Sequence, residues 1–283
     1  MTVNDLFYEY DINILKADHA FESSFDSFVI SITDLINKKR NGLIAESTDM
    51  DSVLVEEANK FTTAINEFFK TILDSIHALV EKVQDKIDTM IKQYEINKKL
   101  KDIKKEAAKL YDLENDKKIT VLDTKKYNKA FTEYINYTVT EFKKVQNKNY
   151  ESIEEYDDAF NNYYDNISEK WDKLGLDYEN NYYDAMWFED VVENVIKDDL
   201  IAKRISEEIH KKWVNAVEQI RDLTKDETDS AKINGAKRIT TTVSNNSSHA
   251  YRTVTNNNMN ILHKIIGFIS KKDKEESEEK KED

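Results

Sequence analysis

The side chains able to do chemistry are present in this chain but are not arranged for it. Five histidines, His19, His77, His210, His249 and His263, stand apart, and none belongs to a His-Glu-x-x-His or similar pairing that would hold zinc. There is no cysteine, which excludes a disulfide, a thiolate metal site and a thiol nucleophile. The four glycines, Gly42, Gly175, Gly235 and Gly267, are too scattered to build a loop that cradles phosphate. Carboxylates are abundant, yet the adjacent pairs Asp157-Asp158 and Asp198-Asp199 would diverge by about 100° on a helix. The calcium-loop spacing is absent. These patterns predict no catalytic residue, no metal site, no cofactor and no enzymatic activity.

Charge is concentrated rather than spread. The formal net charge is −14, and residues 151–200 alone hold 16 acidic residues against 3 lysines. Such a block is read as a solvated acidic face, with weak divalent-cation binding as the chemical alternative. It argues against coating of nucleic acid, which needs a basic face. The same block carries ten aromatic residues, and the run from Tyr178 to Phe188 is too aromatic for one buried stripe. Tyr178, Tyr182, Tyr183, Trp187 and Phe188 are therefore candidate protein-interface residues, with ordinary core packing as the competing reading. A second candidate is the amphipathic segment at 261–272, where Ile265, Ile266 and Phe268 lie beside Lys264, Lys271 and Lys272. It could dock on a partner, lie on a membrane or fold back on its own bundle.

The elements that carry these residues are set by what the chain lacks. It has no proline and four glycines, where average usage would give roughly 14 and 20. Helix stops and tight turns are therefore scarce, and the expected fold is all-α: an elongated helical bundle with long, coiled-coil-like helices. After an irregular start, Phe21, Phe25, Phe28, Val29, Ile32 and Leu35 or Ile36 predict one apolar stripe over 20–36. From Ser47-Thr48-Asp49 a near 4-3 pattern through Phe61, Ile65, Phe68, Ile72, Leu79, Val83, Met90 and Tyr94 runs on towards 113, with a break near 95–99 as an option. Asp123-Thr124 predicts the start of a further helix that continues or resumes to Leu174. Another helix is predicted over 184–223. Residues 239–255 are rich in Thr, Ser and Asn and admit either a small β-hairpin or a helix. The expected organisation is thus a helical leader over 1–46, a long-helix bundle over 47–223, a polar segment with a short amphipathic helix over 224–270, and a disordered charged tail over 271–283. No apolar run reaches the length of a membrane span, and the acidic N-terminal stretch lacks the character of a secretory signal.

A cysteine-free, helical chain rich in Lys, Asn, Ile, Asp and Tyr resembles virion proteins of tailed phages. More locally, Ala236-Lys237-Arg238-Ile239-Thr240-Thr241-Thr242-Val243-Ser244-Asn245-Asn246, with Ala250-Tyr251-Arg252 after it, is similar to the C-terminal segment of Mu-type phage minor head proteins. That segment has an Arg-Ile-Ala-Arg-Thr-Glu-like run. Here its second Arg and its Glu are missing, and the match covers about 17 of 283 residues. The resemblance implies a structural, oligomeric head or head-connector protein, assembled in a bacterial cytoplasm. Its partners would be itself and other virion proteins, with no specific nucleic acid. Leu43-Ile44-Ala45-Glu46 is similar to the Leu/Ile-x-Glu sites cut by phage prohead proteases, making Glu46 a candidate processing site. The same three-residue pattern recurs elsewhere in the chain. A membrane-associating helical protein acting through 261–272 is the alternative function.

Overall fold

The structure, a computed structural model, describes residues 2–40, 49–94, 96, 119–176, 182–185, 203–225 and 227–282. Among the described residues it is an all-α bundle of six helices with one short two-stranded ribbon. The helices are α1 (Val3–Arg40), α2 (Asp49–Gln93), α3 (Thr124–Asn147), α4 (Ile153–Leu176), α5 (Arg204–Thr224) and α6 (Ser230–Glu282). Strand β1 (Ile119–Leu122) pairs antiparallel with β2 (Tyr182–Ala185), Leu122 opposite Tyr182 and Ile119 opposite Ala185.

Helix α1 begins at Val3, not near residue 20. A reciprocal cap starts it: the Asp5 N–H donates to Thr2 Oγ1 at 3.2 Å, and the Thr2 N–H donates to the Asp5 carboxylate. Val3, Leu6, Phe7, Tyr10, Ile14, Ala17 and Phe21 then recur every three or four residues and are all buried. This first half of α1 belongs to the same core as the rest of the bundle: the Tyr10 ring meets Trp213 of α5 edge-on at 5.3 Å, and Phe7 meets Tyr251 of α6 at 6.1 Å.

Helix α2 runs antiparallel to α1, as the Lys82–Glu9 pair (2.8 Å) at one end and the stacked Phe28 and Phe61 rings (4.8 Å) at the other show. Its predicted stripe is buried from Phe61 to Val83. Ile76 and Ile87, which break the 4-3 register, are buried as well, so α2 shows the core a wider face than a two-stranded seam. Residues 97–113 of the predicted helix lie outside the described residues.

One predicted boundary moves, at the 184–223 helix. The 125–174 pattern stops after Asn147 and resumes at Ile153, as two helices. Asp123 Oδ1 caps α3 by accepting from the Lys126 N–H at 2.9 Å, as its position suggests. A second cap then starts α4: Ser152 Oγ accepts from the Glu155 N–H (3.2 Å) while Glu155 Oε2 accepts from the Glu151 N–H (3.0 Å). The predicted helix over 184–223 does not include Asp184 and Ala185, which are in β2, where Tyr182-Tyr183 suits a strand. The described helix begins at Arg204.

Residues 239–255 are helical. They lie within α6, opened by Asp229 Oδ1 accepting from the Ala231 N–H at 2.8 Å. Three of its threonines bond back onto their own helix, Thr240 to the Ala236 carbonyl (2.8 Å), Thr242 to the Arg238 carbonyl (3.0 Å) and Thr253 to the His249 carbonyl (2.9 Å). The segment 271–282, expected to be disordered, continues this helix to Glu282. Strong helix formers with Lys and Glu four apart favour that backbone.

In its middle, α6 is surrounded. It packs against α5, α4, α1 and α3 and touches β1, where the Leu122 N–H donates to Asn257 Oδ1 at 3.0 Å. Apolar Ile239, Val243, Tyr251 and Val254 are fully buried, but so are Thr240, Ser244 and Ser247. Small polar side chains let the neighbouring helices close in around this one. A close approach lies at Gly235, where a Cβ would collide with the Tyr156 hydroxyl and lie 3.0 Å from Phe160.

Candidate interaction surface

The polar groups of the bundle tie helices to one another. Arg252 of α6 pairs with Asp11 of α1 at 2.9 Å and lies over the Phe7 ring. Lys237, also on α6, pairs with Asp18 (2.9 Å) and Glu22 (2.8 Å). Burial pulls the Lys237 ammonium towards neutrality, but these two carboxylates outweigh it and hold its pKa above the usual lysine value. The hydrogen bond from Lys237 in turn lowers Glu22. Arg238 covers the Tyr164 ring at 3.9 Å and donates to Asn161 Oδ1 at 3.3 Å. Tyr134 accepts from Asn246 Nδ2 at 2.7 Å.

Two histidines contact aromatic rings rather than acids. His210 of α5 meets His77 of α2 edge-on at 5.3 Å, and its Nε2 is buried with no hydrogen-bond partner among the described residues. Burial, and then the proximity of His77, lowers its pKa. His249 sits edge-on to Trp171 at 5.7 Å and is lowered by burial and then by Arg252. Among the described residues no group of three or more His, Asp or Glu side chains is placed to hold a metal ion. A cleft of about 440 Å³ lies between α2 and α5, lined by Asn66, Lys70, Leu73, Asp74, Arg221, Asp222 and Lys225. Cations and carboxylates mix there with Leu73 and Asn66.

The predicted interface residues fall in different places. Tyr182 and Tyr183 are on β2, opposite Leu122 and Val121. Tyr178, Trp187, Phe188 and the candidate processing residue Glu46 lie outside the described residues. Ile265, Ile266 and Phe268 are on α6, with Ile266 partly buried against the core and Ile261 and Leu262 fully within it. The apolar side of 261–266 thus packs at least partly on its own bundle. Among the described residues no helix is long and apolar enough to cross a membrane.

Exposed large apolar side chains fall mostly on α1, at Tyr8, Leu15, Val29, Ile30 and Ile36, with Val55 on α2 and Ile153 on α4. The sequence places Val29 and either Leu35 or Ile36 on one apolar stripe; Leu35 is half-buried, whereas Val29 and Ile36 are exposed. Seven residues apart, they occupy its outer edge, while Phe25 and Phe28 of the same stripe are partly buried against the core. The signal available in the sequence was the width of that stripe, which exceeds what one partner helix can cover. Comparison of the chain with protein-family models, with characterised proteins and with solved structures returned no match.

Proposed function

We propose that this chain is a non-catalytic structural component of a tailed-phage particle, in the head or head-connector region, that acts through helix packing and contacts between protein copies. The observation that carries the structural part of this reading is the set of exposed aliphatic side chains on α1 and α2, on a bundle that the Lys237 and Arg252 ion pairs tie from helix to helix. Exposed apolar surface that is clustered rather than scattered marks a place where another protein is expected. The phage assignment is supported by the composition and by the short likeness at Ala236–Arg252.

The test has two parts. Light scattering on the purified chain should give a mass above one chain, and peptides of this chain should be recovered at fixed stoichiometry from gradient-purified particles of the phage that encodes it. A monomer at every concentration would count against the structural part. Absence from purified particles would count against the virion assignment.

A further inference from the structure

We infer that the distal ends of α1 and α2 form an arm that pairs with the same arm of a second copy, making a four-helix bundle between chains. This deepens the structural reading above and rests on it.

The arm is the portion of the α1–α2 hairpin that the other described helices do not cover. Along α1 the ion pairs to α6 stop at Glu22, and along α2 the cleft shared with α5 stops at Asn66. Beyond those points the ring contacts described are between α1 and α2, with Phe61 of α2 against Phe21, Phe25 and Phe28 of α1. From Phe25 to Arg40 the α1 side of the arm is about 24 Å long. Two helices packed only on each other leave both broad faces of the pair open, and a helix must bury its apolar stripe against a further layer. Here the open faces carry Val29, Ile30, Ile36 and Val55, from 42% to 67% exposed.

Charge selects the occupant. The α1 part of the arm, residues 25–40, has two acids against three bases, and the α2 part, residues 49–60, has four acids against one base. The ion pairs described in the arm run within each helix, Asp34 with Lys38, and Glu56 and Glu57 with Lys60. A two-fold axis that sets α1 of one arm against α2 of the other brings the basic helix to the acidic one twice, and keeps the two acidic helices diagonal. A four-helix bundle assembled from two such hairpins closes on itself, as an isologous dimer must.

The chain has no cysteine of its own, so a single introduced thiol reports contacts without background. The experiment uses the full chain in three forms: wild type, V29K/I36K/V55K, and single-thiol variants I36C in the arm and I153C on α4. Wild type is expected to scatter light as a dimer, and the triple lysine variant as a monomer with unchanged helical circular dichroism. Copies carrying I36C should couple through a short bismaleimide several-fold faster than copies carrying I153C, a comparison that holds even if the lysine variant fails to fold. If wild type and the lysine variant are both dimers, or the two thiols couple at equal rates in a dimeric chain, copies associate through another surface; the arm pairing is then overturned while the structural reading stands. A wild type that stays monomeric overturns both.

Discussion

At single positions the bundle is built from buried groups whose environment departs from what their side chains would choose in water, and these give the sharpest expectations. Ser244 and Ser247 of α6 are fully buried, and their hydroxyls have no hydrogen-bond partner among the described residues. A buried hydroxyl left unpaired costs on the order of 1–3 kcal/mol, so S244A/S247A should raise the midpoint of thermal unfolding rather than lower it. At Gly235 the expectation is opposite. G235A must displace the Tyr156 ring, which also loses its 3.4 Å hydrogen bond to Gln146 Oε1, and overpacking of this kind costs about 1–3 kcal/mol, readable by urea unfolding. The histidines set a pH dependence. Because His210 and His249 have lowered pKa values in the folded chain, the unfolded chain binds protons more readily. Their contribution to stability is full above the ordinary histidine pKa near 6.5 and falls as pH drops below it. Unfolding free energy should therefore decline from pH 7 to pH 5.5, and H210Q/H249Q should flatten that slope. A slope unchanged by the double variant would mean that other groups carry it.

Among the elements, what the sequence makes legible depends on whether a helix has one apolar face or is enclosed. Helices α2, α3 and α5 follow their predicted stripes because each shows the core one face and water the other. The ends of α1 and α4 are set by capping boxes at Thr2–Asp5 and Ser152–Glu155, short polar motifs that an acid-rich background obscures. S152A should cost α4 about 1 kcal/mol, seen as a loss of stability with little change in helicity, since the helix is held mainly by Tyr156, Phe160, Tyr163 and Ile167 in the core. Helix α6 was ambiguous for a physical reason. Enclosed by other helices in its middle, it needs no amphipathic period, and Thr240, Thr242 and Thr253 bond to the carbonyl four residues back. Those features erase the contrast that periodicity detects. The predicted interface fares differently: its aromatic run lies largely outside the described residues, whereas Val29 and Ile36 belong to a stripe that can be counted in the sequence but whose coverage depends on which helices stop where, and Leu15, Ile30 and Val55 lie in no predicted stripe.

For the whole molecule, the account joins a well-tied bundle to an uncovered arm. The ties at Arg252–Asp11 and Lys237–Asp18/Glu22 fasten α6 to the near half of α1, while the far half of α1 has α2 as its described partner. Such a division suits a chain that holds its own shape and presents a separate element for assembly. The acidic balance of the chain works against indiscriminate association between copies, and the contact of the α1 part of one arm with the oppositely charged α2 part of the other should weaken as salt is raised. The measurement that bears most directly on this is the mass of the full chain by size exclusion with light scattering at high micromolar concentration, beside V29K/I36K/V55K under the same conditions. The expected result is about twice the 33.2 kDa chain mass for wild type and a single chain mass for the variant. A single chain mass for both would contradict it.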